Sequence, residues 1–114
     1  MHAHRWGRWA LFPAIAILLA AGMAARAAEG PPEFRGADLA LGERLIKEHR
    51  CSECHQRKVG GDGSAIYRPA GRVGRLAALL SMVERCSVEL NLGLFPEDVA
   101  AIAAVLQRDH YRFK

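Results

Sequence analysis

The feature that most constrains this chain is a run of five residues, Cys51-Ser52-Glu53-Cys54-His55. Two cysteines three positions apart, followed directly by a histidine, form the C-x-x-C-H pattern through which a haem is attached covalently. The two thiols can reach the two vinyl groups of one porphyrin, and the adjoining imidazole then becomes the proximal ligand of the iron. The motif therefore predicts Cys51 and Cys54 as the covalent attachment points of one haem c and His55 as the proximal iron ligand.

Zinc and thiol redox centres also use C-x-x-C pairs. A structural zinc site needs four ligands, usually from a second pair at similar spacing, and the chain has no second C-x-x-C or H-x-x-x-H pair. A thioredoxin-like site would lie within a βαβ pattern, and no strand-rich segment surrounds the motif. Both alternatives are therefore weaker predictions than haem attachment.

Residues 1–27 have the pattern of a secretory signal peptide. Arg5 and Arg8 precede an apolar run over residues 11–23, and Ala25-Arg26-Ala27 offers a cleavage site. The apolar run is short for a spanning helix, which needs about 20 residues. An uncleaved N-terminal anchor is the alternative. We expect a periplasmic protein, because bacteria attach haem covalently outside the cytoplasmic membrane.

Cleavage after residue 27 would leave a mature chain of 87 residues, enough for one small domain. A core of this size is marginal by itself, and a bound haem would add apolar surface. The whole chain carries a formal charge of +4, but residues 28–114 hold 13 Lys and Arg against 12 Asp and Glu, a net charge of +1. The basic balance thus belongs largely to the signal segment, and no nucleic-acid partner is implied.

The mature chain divides into an irregular arm over residues 28–37 and one helical domain over residues 38–114. Helices are predicted at about 38–49, with Asp38 as N-cap, at 75–86, and from Pro96 onward, where Val99, Ile102, Ala103 and Leu106 form an apolar stripe. Residues 56–74 contain five of the eleven glycines and are predicted to be a long loop beside the haem. Gly42 lies inside the first predicted helix. A glycine there indicates either close approach of another helix or a surface position where glycine is tolerated.

Taken together, these segments resemble class I c-type cytochromes: a helix with a glycine, C-x-x-C-H, a Gly/Pro loop, a middle helix and an amphipathic last helix. The resemblance implies an all-α, small cytochrome c-like fold, with three to four helices around one covalently bound haem. It also implies that Gly42 packs against the face at residues 100–104, and that the proximal imidazole donates a hydrogen bond to a loop carbonyl, here that of Pro69.

A narrower resemblance is to small single-haem bacterial cytochromes with an R-C-N…W/F-P-E-E-V…Y-Y-x-F pattern. The matching segments are Arg85-Cys86-Ser87, Phe95-Pro96-Glu97-Asp98-Val99 and His110-Tyr111-Arg112-Phe113. Ser87 departs from the Asn of that pattern.

The distal ligand of the iron decides between electron transfer and binding of a small molecule. Met82 is the only methionine after the signal segment, and it is predicted either as the distal ligand or as a core methionine. The third cysteine, Cys86, is predicted as an inert thiol, a link to a partner or a reactive group.

Other side chains could approach the iron in principle. Asn91 is interpreted as a turn residue, and His49 and His110 as surface histidines. Arg85 stands where some ligand-binding class I cytochromes carry a ligating asparagine. Haem propionates need cationic or hydroxyl partners, and the predicted loop offers five, of which Tyr67 and Arg72 are the leading candidates; the others are Arg57, Lys58 and Arg68.

The sequence thus predicts a periplasmic electron-transfer protein that carries one electron between a redox donor and a redox acceptor, and not an enzyme. It would meet a membrane only through transient redox partners or an uncleaved signal. The alternative is a binding module whose open or labile sixth site takes a diatomic ligand. A subunit of a membrane oxidoreductase is a third hypothesis, supported only by the small size.

Overall fold

A computed structural model of the 114-residue chain describes residues 31–114. They form four α-helices, α1 (Leu39–Glu48), α2 (Cys51–Val59), α3 (Leu76–Glu89) and α4 (Pro96–Leu106). Short 3-10 turns occur at Pro32–Phe34 and Ser64–Ile66, and a π-helical segment, Gln107–Tyr111, continues α4. No strand is present between residues 31 and 114, so the all-α prediction is confirmed for this range. The predicted signal segment, residues 1–27, lies outside the described residues, as do residues 28–30 of the arm.

Helix α1 begins where the sequence predicts. The carboxylate of Asp38 accepts a hydrogen bond from the backbone N–H of Leu41 at 3.0 Å, which satisfies a donor at the open end of the helix. The helix ends at Glu48, and Arg50 adopts a left-handed conformation with φ of 53°. This break turns the chain before Cys51, so the C-x-x-C-H motif opens a separate helix, α2.

Helix α4 forms the centre of the hydrophobic core. It starts with Pro96 in its first turn, as predicted, and the carboxylate of Asp98 accepts a hydrogen bond from the backbone N–H of Phe95 at 3.0 Å. The predicted apolar stripe is confirmed but incomplete. Burial extends around the helix and includes Val99 and all of residues 101–106, because α1 and α3 both pack against it.

The crossing of α1 and α4 depends on Gly42. A Cβ atom at this position would meet the carbonyl oxygen of Ala101 and lie 2.6 Å from the carbonyl carbon of the same residue and 2.8 Å from Cγ2 of Val105. Only a residue without a side chain allows the two backbones to approach this closely. Of the two predictions for Gly42, close helix approach is therefore confirmed. Ala101 lies inside the predicted face at residues 100–104, and Val105 lies one residue beyond it.

Two predicted boundaries are wrong. Residues 56–74 are not one loop, because α2 continues to Val59 and a 3-10 turn forms at Ser64–Ile66. The middle helix extends beyond Cys86 to Glu89, and Asn91 then adopts a left-handed turn with φ of 53°. Within the predicted irregular arm, a 3-10 turn buries Phe34, which is 1% exposed. Burial of a phenylalanine contributes about 1.5–3 kcal/mol, which explains why this segment is fixed to the core.

No helix within residues 31–114 has both the length and the apolar character required to cross a bilayer.

Replacement of Gly42 by alanine should destabilise the protein. The added methyl group must displace the backbone of Ala101, and such overpacking costs about 1–3 kcal/mol of unfolding free energy. Urea unfolding followed by circular dichroism measures the change. Gly74→Ala is the matched control, because a Cβ there would have its nearest neighbour at 3.9 Å. Equal stability of the two variants would contradict the packing argument.

Candidate functional site

A cavity of about 590 Å³ lies beside the C-x-x-C-H helix. Helices α2 and α3 both line it, and aliphatic residues of α1 and α4, among them Ile46 and Ile102, contribute further lining. Its volume is within the range of about 300–1,000 Å³ that is common for cofactor and ligand sites. The cavity brings together all six residues predicted from the sequence to hold or contact the haem: Cys51, Cys54, His55, Tyr67, Arg72 and Met82.

The cysteines are thiols in partly buried positions. None of Cys51, Cys54 and Cys86 forms a disulfide, and all three line the cavity. Burial raises the pKa of the Cys51 thiol, and the nearby Cys86 and Cys54 raise it further. Burial also raises the pKa of Cys86. These two thiols are therefore predominantly protonated near neutral pH, and neither has the lowered pKa of a reactive cysteine.

The imidazole of His55 is held by Tyr67. The Tyr67 hydroxyl and Nδ1 of His55 are 3.0 Å apart and form a hydrogen bond, in which the donor is the hydroxyl or Nδ1–H according to the tautomer. Burial, and then the positive charge of Lys58, lowers the pKa of His55, which favours the neutral imidazole. The implied hydrogen bond from His55 to the Pro69 carbonyl is absent: Pro69 is exposed, and the Nδ1 partner is a side chain two residues earlier.

The loop before Tyr67 is fixed directly against α2. Gly63 has a positive φ of 84°, and a Cβ atom there would lie 2.8 Å from the Ser52 carbonyl oxygen and 3.0 Å from Cβ of His55. Asp62 closes the turn, because its carboxylate accepts hydrogen bonds from the backbone N–H and the hydroxyl of Ser64. The turn therefore places Tyr67 on the same side of α2 as His55.

The C-terminal segment supports Tyr67 from a second direction. His110 stacks on Tyr67, with ring centroids 4.5 Å apart and an interplanar angle of 29°, while Tyr111 meets Tyr67 edge to face at 6.1 Å. Phe113 in turn stacks on Tyr111 at 5.4 Å. His110 is partly exposed, so its interpretation as a surface histidine is compatible with the structure, although one face of its ring stacks on Tyr67.

Gln107 is a structural residue that no sequence motif predicted. It is 7% exposed, and its amide binds the backbone of Phe113 twice: Nε2 donates to the carbonyl at 2.7 Å, and Oε1 accepts from the N–H at 3.2 Å. These bonds hold the end of the chain against the core. The only sequence signal was a glutamine directly after an apolar helix.

Helix α3 presents Met82 and Cys86 to the cavity, one turn apart. Met82 is partly buried. This position is compatible with both predicted roles, iron ligand and core methionine. Ser87, the residue that departs from the family pattern, is buried, and its hydroxyl accepts a hydrogen bond from the backbone N–H of Leu94 at 3.3 Å. It therefore anchors the connection between α3 and α4.

The remaining predicted residues have different positions. His49, interpreted as a surface histidine, is partly exposed and also lines the cavity. Asn91 is exposed in its left-handed turn, as predicted. Arg85 is exposed and pairs with Glu89 at 3.1 Å. Of the four cations predicted as propionate partners, three line the cavity and Arg57 does not; the three are Lys58, Arg68 and Arg72.

Comparison with known proteins identifies no relative. No protein-family model, curated protein or solved structure matches the chain.

Replacement of Gln107 by leucine should lower the free energy of unfolding by about 1–3 kcal/mol. The apolar side chain cannot replace either hydrogen bond to Phe113, and each such bond contributes about 0.5–1.5 kcal/mol of net stability. Urea unfolding measures the loss, and Lys114→Ala, at an exposed position near the same terminus, is the control. A Gln107→Leu variant as stable as the control would show that the two bonds contribute no net stability.

Proposed function

We propose that this protein is a single-haem c-type cytochrome that works in the periplasm as a one-electron carrier between redox partners. The proposal rests on one observation, which is the set of residues that line a single cavity. The two thiols and the imidazole of the C-x-x-C-H motif line it, and so does Met82, the methionine predicted as distal ligand.

The residues of the cavity fit a covalently bound haem c. Cys51 and Cys54 lie one turn apart on α2 and supply two thiols from the same helix. His55 directs Nδ1 to Tyr67, which leaves Nε2 available to bind iron, and its lowered pKa favours the neutral imidazole that a metal requires. The aliphatic lining from α1, α3 and α4 suits the faces of a porphyrin.

Bound haem would supply a one-electron iron couple, and the chain would set the conditions under which that couple works. Cys51 and Cys54 would fix the group to α2, while His55 and Met82 would ligate the iron. Arg72 and Lys58, exposed at the rim of the cavity, would offset propionate charge. We expect partners to dock in a small, transient interface, which is usual for redox encounters.

The first experiment tests haem attachment. The full chain is produced in a bacterial host that exports it and possesses haem-attachment machinery, and the purified protein is analysed by intact mass and by the absorption spectrum of the pyridine complex. The wild type and the Cys86→Ser variant should carry one covalent haem, whereas the Cys51→Ser/Cys54→Ser double variant should carry none. A wild-type chain without covalent haem would contradict the proposal.

The second experiment tests the distal ligand. Optical spectra are recorded for the oxidised protein, the reduced protein and the reduced protein under carbon monoxide, in the wild type, Met82→Ala and Cys86→Ser. The wild type and Cys86→Ser should be low-spin and indifferent to carbon monoxide, while Met82→Ala should lose the sulfur-to-iron band and bind carbon monoxide. Cys86 lies one turn from Met82 and also lines the cavity, which makes it the matched control.

A high-spin wild type that binds carbon monoxide, unaffected by the loss of Met82, would instead support the alternative of a ligand-binding cytochrome. A spectrum altered by Cys86→Ser would contradict the inert role of that thiol.

A further inference from the structure

We propose that Tyr67 is the positioning residue of the proximal histidine, and that its hydroxyl, in place of a backbone carbonyl, accepts the hydrogen bond from Nδ1–H of His55. The inference rests on the proposed function. It adds a residue that sets the orientation of the His55 ring and the reduction potential of the iron.

The first step of the argument is the geometry at His55. The Tyr67 oxygen is 3.0 Å from Nδ1, and the two rings are nearly perpendicular, with an interplanar angle of 85° and centroids 5.3 Å apart. When Nε2 binds a metal, Nδ1 keeps its proton and must donate it. The Tyr67 oxygen is the partner of Nδ1 in the structure and would accept this proton, whereas Pro69 is exposed.

The second step is that the position of Tyr67 is fixed independently of His55. His110 stacks on one side of the phenol ring, Tyr111 meets it edge to face, and the Gly63 turn holds the preceding backbone against α2. A hydroxyl fixed in this way restricts the rotation of the imidazole about its own axis. Such outer partners of a ligating histidine determine its tautomer and its orientation.

The third step gives the direction of the effect. A hydrogen bond from Nδ1–H makes the imidazole a stronger donor, which stabilises the oxidised iron and lowers the potential. Loss of the Tyr67 hydroxyl should therefore raise the potential. A contact between this hydroxyl and a propionate would have the opposite signature, because its loss would leave more negative charge beside the iron and lower the potential.

The test uses the mature protein with covalent haem and compares Tyr67→Phe with Tyr111→Phe. Each variant removes one phenol hydroxyl from the same aromatic cluster, but only Tyr67 hydrogen-bonds to His55. In Tyr67→Phe we expect a higher reduction potential and faster solvent exchange of the His55 Nδ1–H, measured by NMR in a diamagnetic reduced form, with carbon monoxide added if the iron is high-spin. Tyr111→Phe should retain wild-type values of both.

An unchanged or lowered potential in Tyr67→Phe, with haem attached, would overturn the positioning role and leave the proposed function intact. A chain that carries no covalent haem would overturn both. If Tyr67→Phe does not fold, NMR of the wild-type protein still tests the role. The Nδ1–H proton of His55 should show a nuclear Overhauser effect to the ring protons of Tyr67. An effect to the protons of Pro69 instead would overturn the role.

Discussion

The close contact between α1 and α4 at Gly42 determines where the rest of the structure lies. Because the backbones of α1 and α4 are in contact at Gly42 and Ala101, the end of α1, and therefore the start of α2, has a defined position relative to the core. The same helix, α4, also contacts α3 and the 3-10 turn that buries Phe34. Helices α1, α3 and α4 all contribute to the wall of the cavity, so its shape depends on this one crossing.

The sequence predicted the helices that have strong local signals. Asp38 and Pro96 marked the starts of α1 and α4, and the apolar spacing of both helices identified their buried faces. Gly42 was informative because a glycine inside a helix lowers its stability by about 1 kcal/mol, so it suggested a packing reason. The C-x-x-C-H motif and Met82 were predicted from the sequence to lie at one site, and in the structure they line one cavity.

The errors have a common physical origin in contacts between distant parts of the chain. The second half of α2, residues 56–59, carries three polar residues and no apolar period, so nothing local distinguished it from a loop. The stacking of His110 on Tyr67, which no sequence pattern indicated, occurs in a π-helical segment whose Gln107 side chain binds the backbone of Phe113. The hydrogen bond between Tyr67 and His55 requires the Gly63 turn to pack on α2. This packing is a tertiary contact, and the local sequence of the turn or of α2 does not predict it.

Helix α2 contains no buried residue, in contrast to α1, α3 and α4. Segments with few buried apolar contacts open locally at a small fraction of the global unfolding free energy. The break at Arg50 separates α2 from α1, so such opening need not disturb the crossing at Gly42. Amide protons of α2 should consequently exchange with solvent sooner than those of α4, because every buried side chain within residues 31–114 lies outside α2.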